Sequence, residues 1–484
     1  MVLNIKVILS LLSNVIIFLA LCGFIPAAYS FISITKGGAE FLAWSTCLII
    51  IGITTKYFTR NAQFERITVK DMFLFTSLVW ITIMLFAAIP MYYITELNYI
   101  SACYESSSAI TTTGSSVLAN IDTTPESVIL WRSLLQYVGG IGFIAIGIAI
   151  LPNLNVGGMK LFQTENSTQN YSNVTQKSKS LAKGILLLYF VLTIFAVLTY
   201  QLLGMNTFDA FNYALTSMST GGMGTTNNSL NVFNGSIHWA IAIFMFISSL
   251  PYAVMFICLK DLNIKNIFKD QQVKGFTYLI IFISLLVTLN LYLKENYSIS
   301  DAIRVGTFNV INILSSSGFS LDDYTTKNDF LTLLFLIILP IGGCSGSTSG
   351  GLKFFRLQIL YTLTKRQIKQ LMHPYAIFPQ RYNGQTVNDT IIRSIITFFL
   401  VYLILSGISA LLLTLSGIEL MEAISLTISC VSNIGPAIGE TFGPNGNFSV
   451  LTSYQKSILI VDMLLGRLEV LTMLICFFPS FWKI

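Results

Sequence analysis

The chain has 484 residues, 54% hydrophobic and only 10% charged, with a formal net charge of +6 and mean hydropathy of +0.72. Soluble domains carry about 25% charged residues, so a water-soluble globular protein is excluded and an integral membrane protein is implied. The apolar runs are long enough for helices, which need about 20 residues to cross roughly 30 Å of hydrocarbon. They lack the alternation over about ten residues that marks a barrel strand.

In chain order, the first apolar segment, about 7–34, follows Lys6. It exceeds a typical signal-peptide core and reads as a retained span. A second lies at about 41–57. Beyond them, basic connections divide the chain. The first holds Lys56, Arg60, Arg66 and Lys70, and the next Lys160, Lys177, Lys179 and Lys183. A third holds Lys260, Lys265, Lys269 and Lys274, and the longest runs from Lys353 and Arg356 to Arg393. The positive-inside rule places all four in the cytoplasm. The opposite side is acidic, with Glu96, Glu105, Asp122, Glu126, Asp209, Asp301, Asp322 and Asp323 among its residues, and would concentrate cations.

Each interval between connections holds two long apolar runs around a shorter segment. Those segments are SACYESSSAITTTG, FDAFNYALTSMSTG, DAIRVGTFNVINILSSSG and MEAISLTISCVSNIG. Each is one short helix long and ends in hydroxyl or amide residues before a glycine. None suffices to span, so each reads as a re-entrant helix entering from outside. Aligning the terminal glycines pairs Gly114, Gly221, Gly318 and Gly435, with Tyr104, Phe211, Phe308 and Ser425 ten positions earlier. The expected fold is an all-α polytopic membrane protein. Four parallel-oriented span–re-entrant loop–span repeats surround a central pore, with two extra N-terminal helices. The boundaries are 1–69 for those helices, 70–152 for repeat 1 and 153–262 for a cytoplasmic connection with repeat 2. Residues 263–360 form repeat 3, 361–390 a cytoplasmic connection and 391–484 repeat 4.

Backbone that leaves a helix at membrane depth must be buried or line a wet cavity. Four short helices aiming their C-terminal ends at one axis would favour a cation there, and extended chain beyond them would offer rings of carbonyl oxygens. The residues in this position are Thr111, Thr112, Thr113 and Gly114; Ser219, Thr220 and Gly221; Ser316, Ser317 and Gly318; and Asn433, Ile434 and Gly435. A polar helix end is the plainer reading of any one copy. Four in register point to an ion filter.

The second apolar run of repeat 3 is interrupted by PIGGCSGSTSGG, 340–351. Gly342, Gly343, Cys344, Ser345, Gly346, Ser347, Thr348, Ser349, Gly350 and Gly351 would unwind a pore-lining helix and lie across the conduit as a movable gate, or merely kink the helix. The stretch lacks the glycine-lysine ending of a phosphate loop, since Leu352 precedes Lys353. Arg467 lies about thirteen residues from either polar end of its apolar run, roughly 20 Å along a helix. A charge at that depth faces protein or water, as a barrier to cations in the conduit or in an interhelical ion pair. Glu469 is two positions away and unsuited to pair with it within one helix.

His238 and His373 are far apart, and the seven cysteines show no paired-ligand spacing, so no histidine-rich metal site or disulfide frame is expected. Convergent nucleophile, base or metal ligands for a membrane enzyme are also lacking. Asp462 and Glu469 are the few in-span carboxylates available to an H⁺- or Na⁺-coupled symporter, the competing transport reading.

AITTTGSSV, SMSTGGMGT, LSSSGFS and SNIGPAIG, together with PIGGCSGSTSGGLK and LLGRLEVLTML, resemble the filter and gate segments of the Trk/Ktr/HKT superfamily of K⁺ transporters. The two extra N-terminal spans resemble its Trk-type membrane subunits (TrkH/TrkG). The resemblance covers essentially the whole chain. It implies K⁺ as the transported ion, because glycine stands in every filter segment, with no organic cofactor. It also implies the glycine-rich loop and Arg467 as the gate, a homodimer, and a cytosolic nucleotide-binding ring of TrkA type as partner. The bacterial cytoplasmic membrane is the implied location. Basic residues in 361–390 would meet anionic membrane lipids, and no nucleic-acid partner is expected.

Overall fold

The computed structural model describes residues 3–62, 68–149, 171–444 and 446–482. Arg66 and Lys160, placed in cytoplasmic connections by the sequence, lie outside those residues. Two apolar helices, Ile5–Ile32 and Gly38–Phe58, form an antiparallel pair. They cross closely because Gly23 presents no side chain to Trp44; a Cβ there would lie 2.4 Å from the indole. Trp44 and Phe41 then meet Trp131 edge-on at 5.2 and 5.7 Å between ring centroids, which seats the pair on repeat 1.

The four repeats follow. Repeat 1 comprises Val69–Ile94, the short helix Tyr99–Ile110 and Glu126–Ala149. Repeat 2 comprises Tyr171–Leu202, the short helix Thr207–Met218, and the two pieces Gly235–Ser248 and Tyr252–Lys260. Repeat 3 comprises Gln271–Lys294, the short helix Ile299–Leu314, Asp329–Ile338, the glycine-rich loop and Phe354–Met372. Repeat 4 comprises Asp389–Leu415, the short helix Leu420–Ser432 and Ser453–Arg467, followed by single-turn pieces. Side chains of Asn98, Asn206 and Ser298 accept from backbone N–H groups at the starts of the first three short helices and so fix where each begins.

Seven described helices are long and apolar enough to cross a membrane, and there are eight if the pair Gly235–Ser248 and Tyr252–Lys260, bent by 92°, is counted as one span. The second spans of repeats 2 and 4 differ from the continuous runs expected from sequence. In repeat 2, Pro251 has no N–H to donate and follows Ser248, Ser249 and Leu250, so the helix breaks there. In repeat 4 the helix stops at Arg467, and Glu469 (φ 59°) and Val470 (φ 41°) turn the chain through the left-handed region. The longest cytoplasmic connection begins as a helix reaching Met372 and continues to a small hairpin, Arg381–Tyr382 against Gln385–Thr386.

Two large apolar cores hold the assembly. One joins repeats 2 and 3, and the other joins the N-terminal pair to repeats 1 and 4. Repeats adjacent in each core are neighbours around a common axis.

Candidate functional site: a four-part ring above a glycine-rich loop

Each short helix ends in the same way. Its last turn closes with two backbone hydrogen bonds. In repeat 1 Thr112 N–H donates to Ala109 O at 3.1 Å and Thr113 N–H to Ser108 O at 2.8 Å. The corresponding outer bonds are Gly221 to Thr216 at 2.8 Å, Ser317 to Asn312 at 2.9 Å and Ile434 to Ser429 at 3.0 Å. This Schellman pattern needs a left-handed residue just past the helix, usually glycine. Here those residues are Thr112, Thr220, Ser316 and Asn433, with φ between 52° and 56°. Left-handed geometry costs a non-glycine residue on the order of 1 kcal/mol, so polar side chains occupy these positions against a local preference.

Two residues later come Gly114, Gly222, Gly318 and Gly435, all with positive φ. The alignment that pairs Gly221 with Gly114 is therefore one residue out in repeat 2. The backbone equivalent of Gly114 is Gly222, and Gly221 matches Thr113, Ser317 and Ile434. Asn212, not Phe211, takes the place of Tyr104. Consecutive glycines hid the shift; the hydrogen-bond pattern exposes it.

These glycines close a circle. A Cβ on Gly114 would lie 2.3 Å from Gly221 O, one on Gly222 2.0 Å from Ser317 O, and one on Gly318 2.0 Å from Ile434 O. A Cβ on Gly435 would lie 2.5 Å from Thr113 O. Repeats 1, 2, 3 and 4 thus touch in cyclic order, each placing a carbonyl against the glycine of the repeat before it. On one side the ring opens into a cavity of about 350 Å³ lined by Gly114, Gly222, Gly318, Pro436, Arg132 and Asn447 among others.

Glu105 and Arg132 stabilise the ring's outer border. Glu105, placed among exposed outer acids by the sequence, is fully buried and forms an ion pair with Arg132 at 3.1 Å. Its carboxylate also accepts from Ser116 Oγ at 2.9 Å and Val117 N at 2.8 Å, and Arg132 donates to Gly224 O at 3.3 Å. The pair grips the return segments of repeats 1 and 2.

On the other side lies the glycine-rich loop. Its base is closed by a parallel pairing of Ile341 with Leu352 and Gly342 with Lys353. The loop rests on the ends of three short helices. Thr348 Oγ1 lies 3.4 Å from Thr220 Oγ1 and donates to Met218 O at 3.2 Å, while Gly350 N donates to Ser316 Oγ at 2.5 Å. A Cβ on Gly350 would sit 2.3 Å from Ser432 O and 3.0 Å from Asn433 Cβ, which requires glycine at this approach. The break in repeat 2 supplies the loop's other partner: Cys344 N donates to Ser249 O at 2.9 Å, and Tyr252 N to Gly346 O at 3.1 Å. Ser249 was not anticipated, although the SSLP sequence carried its signal.

Beneath the loop three cations converge. Arg467 is 1% exposed, and its guanidinium lies 4.4 Å from the Phe143 ring centroid. Its Nη2 is 3.5 Å from Gly139 O, while Nε and Nη1 have no partner among the described residues. Lys353 Nζ is 4.9 Å from the same ring and donates to Ser349 O. Arg356 pairs with Glu469. Lys353 and Arg356, placed in a cytoplasmic connection by the sequence, are each 1% exposed. Neither Arg467 nor Lys353 has an acidic partner among the described residues. Asp462 is buried elsewhere in repeat 4, accepting from Ser409 Oγ at 2.7 Å.

Fold and site together define a multi-pass membrane transport protein built on one pseudo-fourfold axis. The comparisons make the assignment specific. Residues 38–484 match the family described as "TrkH: Cation transport protein", and the chain belongs to that family. It is 38% identical over 417 residues to the Trk system potassium uptake protein TrkI of Halomonas elongata, covering 85% of this chain and 84% of that one. It is 32% identical over 419 residues to TrkH of Escherichia coli strain K12, covering 86% of each. The crystal structure of the potassium transporter TrkH from Vibrio parahaemolyticus superposes with a TM-score of 0.91 at 27% identity, covering 99% of this chain and 100% of that one. The chain is a multi-pass protein of the cytoplasmic (inner) membrane.

Proposed function

We propose that this chain is a gated, K⁺-selective uptake conduit, with the ring of Thr113, Gly221, Ser317 and Ile434 carbonyls as its filter. The carrying observation is the cyclic contact of four carbonyls with four glycines. Oxygens held in this way can replace part of an ion's hydration shell without fixed charge. The relatives named as potassium uptake proteins support K⁺ as the ion.

K⁺ enters through the outer cavity, crosses the ring and meets the glycine-rich loop, 342–351. Arg467 and Lys353 repel it there. Glycines give the loop freedom to withdraw, and its few hydrogen bonds to helix ends are modest barriers, about 1 kcal/mol each. Movement of the loop would carry Lys353 with it, because this residue begins the helix below. A cytosolic nucleotide-binding ring of TrkA type, pulling on Phe354–Met372 and the hairpin beyond, would drive that movement in a homodimer. The names of the relatives as parts of a Trk system support such a partner. No catalytic turnover is involved.

Ion flux into proteoliposomes under opposed K⁺ and Na⁺ gradients tests the reading. Wild-type protein should pass K⁺ in preference to Na⁺, and Gly114→Ser should narrow the difference. Equal passage of both ions by wild-type protein would refute it.

One observation favours the symport alternative. Asp462 is buried, and its second carboxylate oxygen has no partner among the described residues, as a proton-binding site would require. A reversal potential that follows pH in wild-type protein but not in Asp462→Asn would establish coupling.

A further inference from the structure

Three ring carbonyls, those of Thr113, Ser317 and Ile434, have no hydrogen-bond donor among the described contacts. The fourth does. Gln136 Nε2 donates to Gly221 O at 2.6 Å, and Gln136 Oε1 accepts from Met223 N at 3.3 Å. The side chain is fully buried in the second long helix of repeat 1, so its amide bridges both sides of Gly222 from outside the ring. Room for it exists because residue 221 is glycine. A Cβ there would lie 2.4 Å from the Gln136 amide carbon. Thr113, Ser317 and Ile434 carry side chains at the equivalent position in the other repeats.

We propose that Gln136 is a specificity-determining positioning residue that fixes the orientation of one ring oxygen and makes the fourfold ring chemically unequal. The buried amide replaces a side chain of repeat 2 itself, and it restrains a carbonyl that would otherwise be free to rotate towards a smaller ion. A ring whose oxygens cannot collapse inward discriminates against Na⁺, so restraint at even one position favours K⁺. This inference rests on the reading of the ring as the filter.

The test measures K⁺ and Na⁺ flux ratios in proteoliposomes for Gln136→Leu and Gln136→Met, which fill similar space without a donor. Gly114→Ser is measured in parallel. Both variants lose the bonds to Gly221 O and Met223 N, and freeing the ring carbonyl predicts a fall of about 2- to 10-fold in the K⁺:Na⁺ ratio. A merely structural role would lower the amount of folded protein or total flux and leave the ratio unchanged. If Gly114→Ser lowers the ratio while both Gln136 variants keep the wild-type value, the role of Gln136 is overturned and the filter reading stands. If no variant alters it, the filter reading itself fails. Should Gln136→Leu not fold, Gln136→Met alone decides.

Discussion

Arg467 and Glu105 show how differently a buried charge can be treated within one membrane protein. Glu105 has an arginine and two further donors around it, so removing any part leaves a charge stranded in low dielectric. Breaking such a pair costs about 3–5 kcal/mol. Glu105→Gln should therefore lower the thermal midpoint of the detergent-solubilised protein markedly, read by a melting curve. Arg467 has an aromatic ring and one long carbonyl contact instead, so its removal strands no partner charge. Arg467→Ala should leave the melting temperature near wild type and raise basal K⁺ flux severalfold. Unchanged or lower flux from folded protein would remove it from the barrier. The ring makes a sharper residue-level prediction. Gly222→Ala forces a Cβ to within 2.0 Å of Ser317 O and should disturb K⁺:Na⁺ discrimination as Gly114→Ser does. Normal selectivity in Gly222→Ala would contradict the register drawn from the helix ends.

At the scale of elements, the second helix of repeat 1 aligns much of the site. Arg132, Gln136, Gly139 and Phe143 recur at helical spacing on it. They meet the outer cavity, the ring, the end of the first short helix and the lower cations in turn. The glycine-rich loop is the contrasting element, held by short contacts to repeats 2, 3 and 4. Deletion of several residues within 343–350 should give a constitutively conducting protein, detected as K⁺ flux without any added partner. Closed, correctly folded deletion protein would exclude the loop as the gate. Outside the membrane, Tyr297 and Lys327 both hold Asp322 and tie the loop after the third short helix to the end of Gln271–Lys294. Burial raises the Asp322 carboxyl's pKa, but the hydrogen bonds from Tyr297 and Lys327 outweigh it and leave the pKa below the usual carboxylate range. A depressed folded-state pKa contributes stability above the unfolded value and loses it as pH falls through the folded one. The melting-temperature gap between wild type and Asp322→Asn should thus be present at neutral pH and close on acidification below the ordinary aspartate range. A gap independent of pH would argue against this clasp.

For the whole molecule, a ring completed within one chain predicts that purified Arg467→Ala protein, reconstituted alone, conducts K⁺ with no cytosolic component. Flux that appears only with a partner would place part of the conduit elsewhere. Topology was legible in the chain because lipid imposes it: span length, basic connections and four polar-ended short helices are local properties that the bilayer translates directly into crossings and re-entries. The ring segments and the glycine-rich interruption were legible for the same reason, since polar, helix-breaking residues at membrane depth need a polar environment. Register in repeat 2 was not, because adjacent Gly221 and Gly222 are indistinguishable until hydrogen bonds to Thr216 and its counterparts fix the helix end. Nor were the burial of Lys353 and Arg356, counted from sequence as solvated cytoplasmic charges, or the pairing of Arg356 with Glu469 and of Arg132 with Glu105. Those pairings join different repeats or distant turns of one, and proximity across an axis leaves no trace in linear spacing. The sequence by itself determined that four polar-ended short segments sit between apolar runs and where the polar interruptions fall. Only the tertiary structure decided which carbonyl faces which glycine and which charges share the interior, because both depend on four separate segments converging on one line.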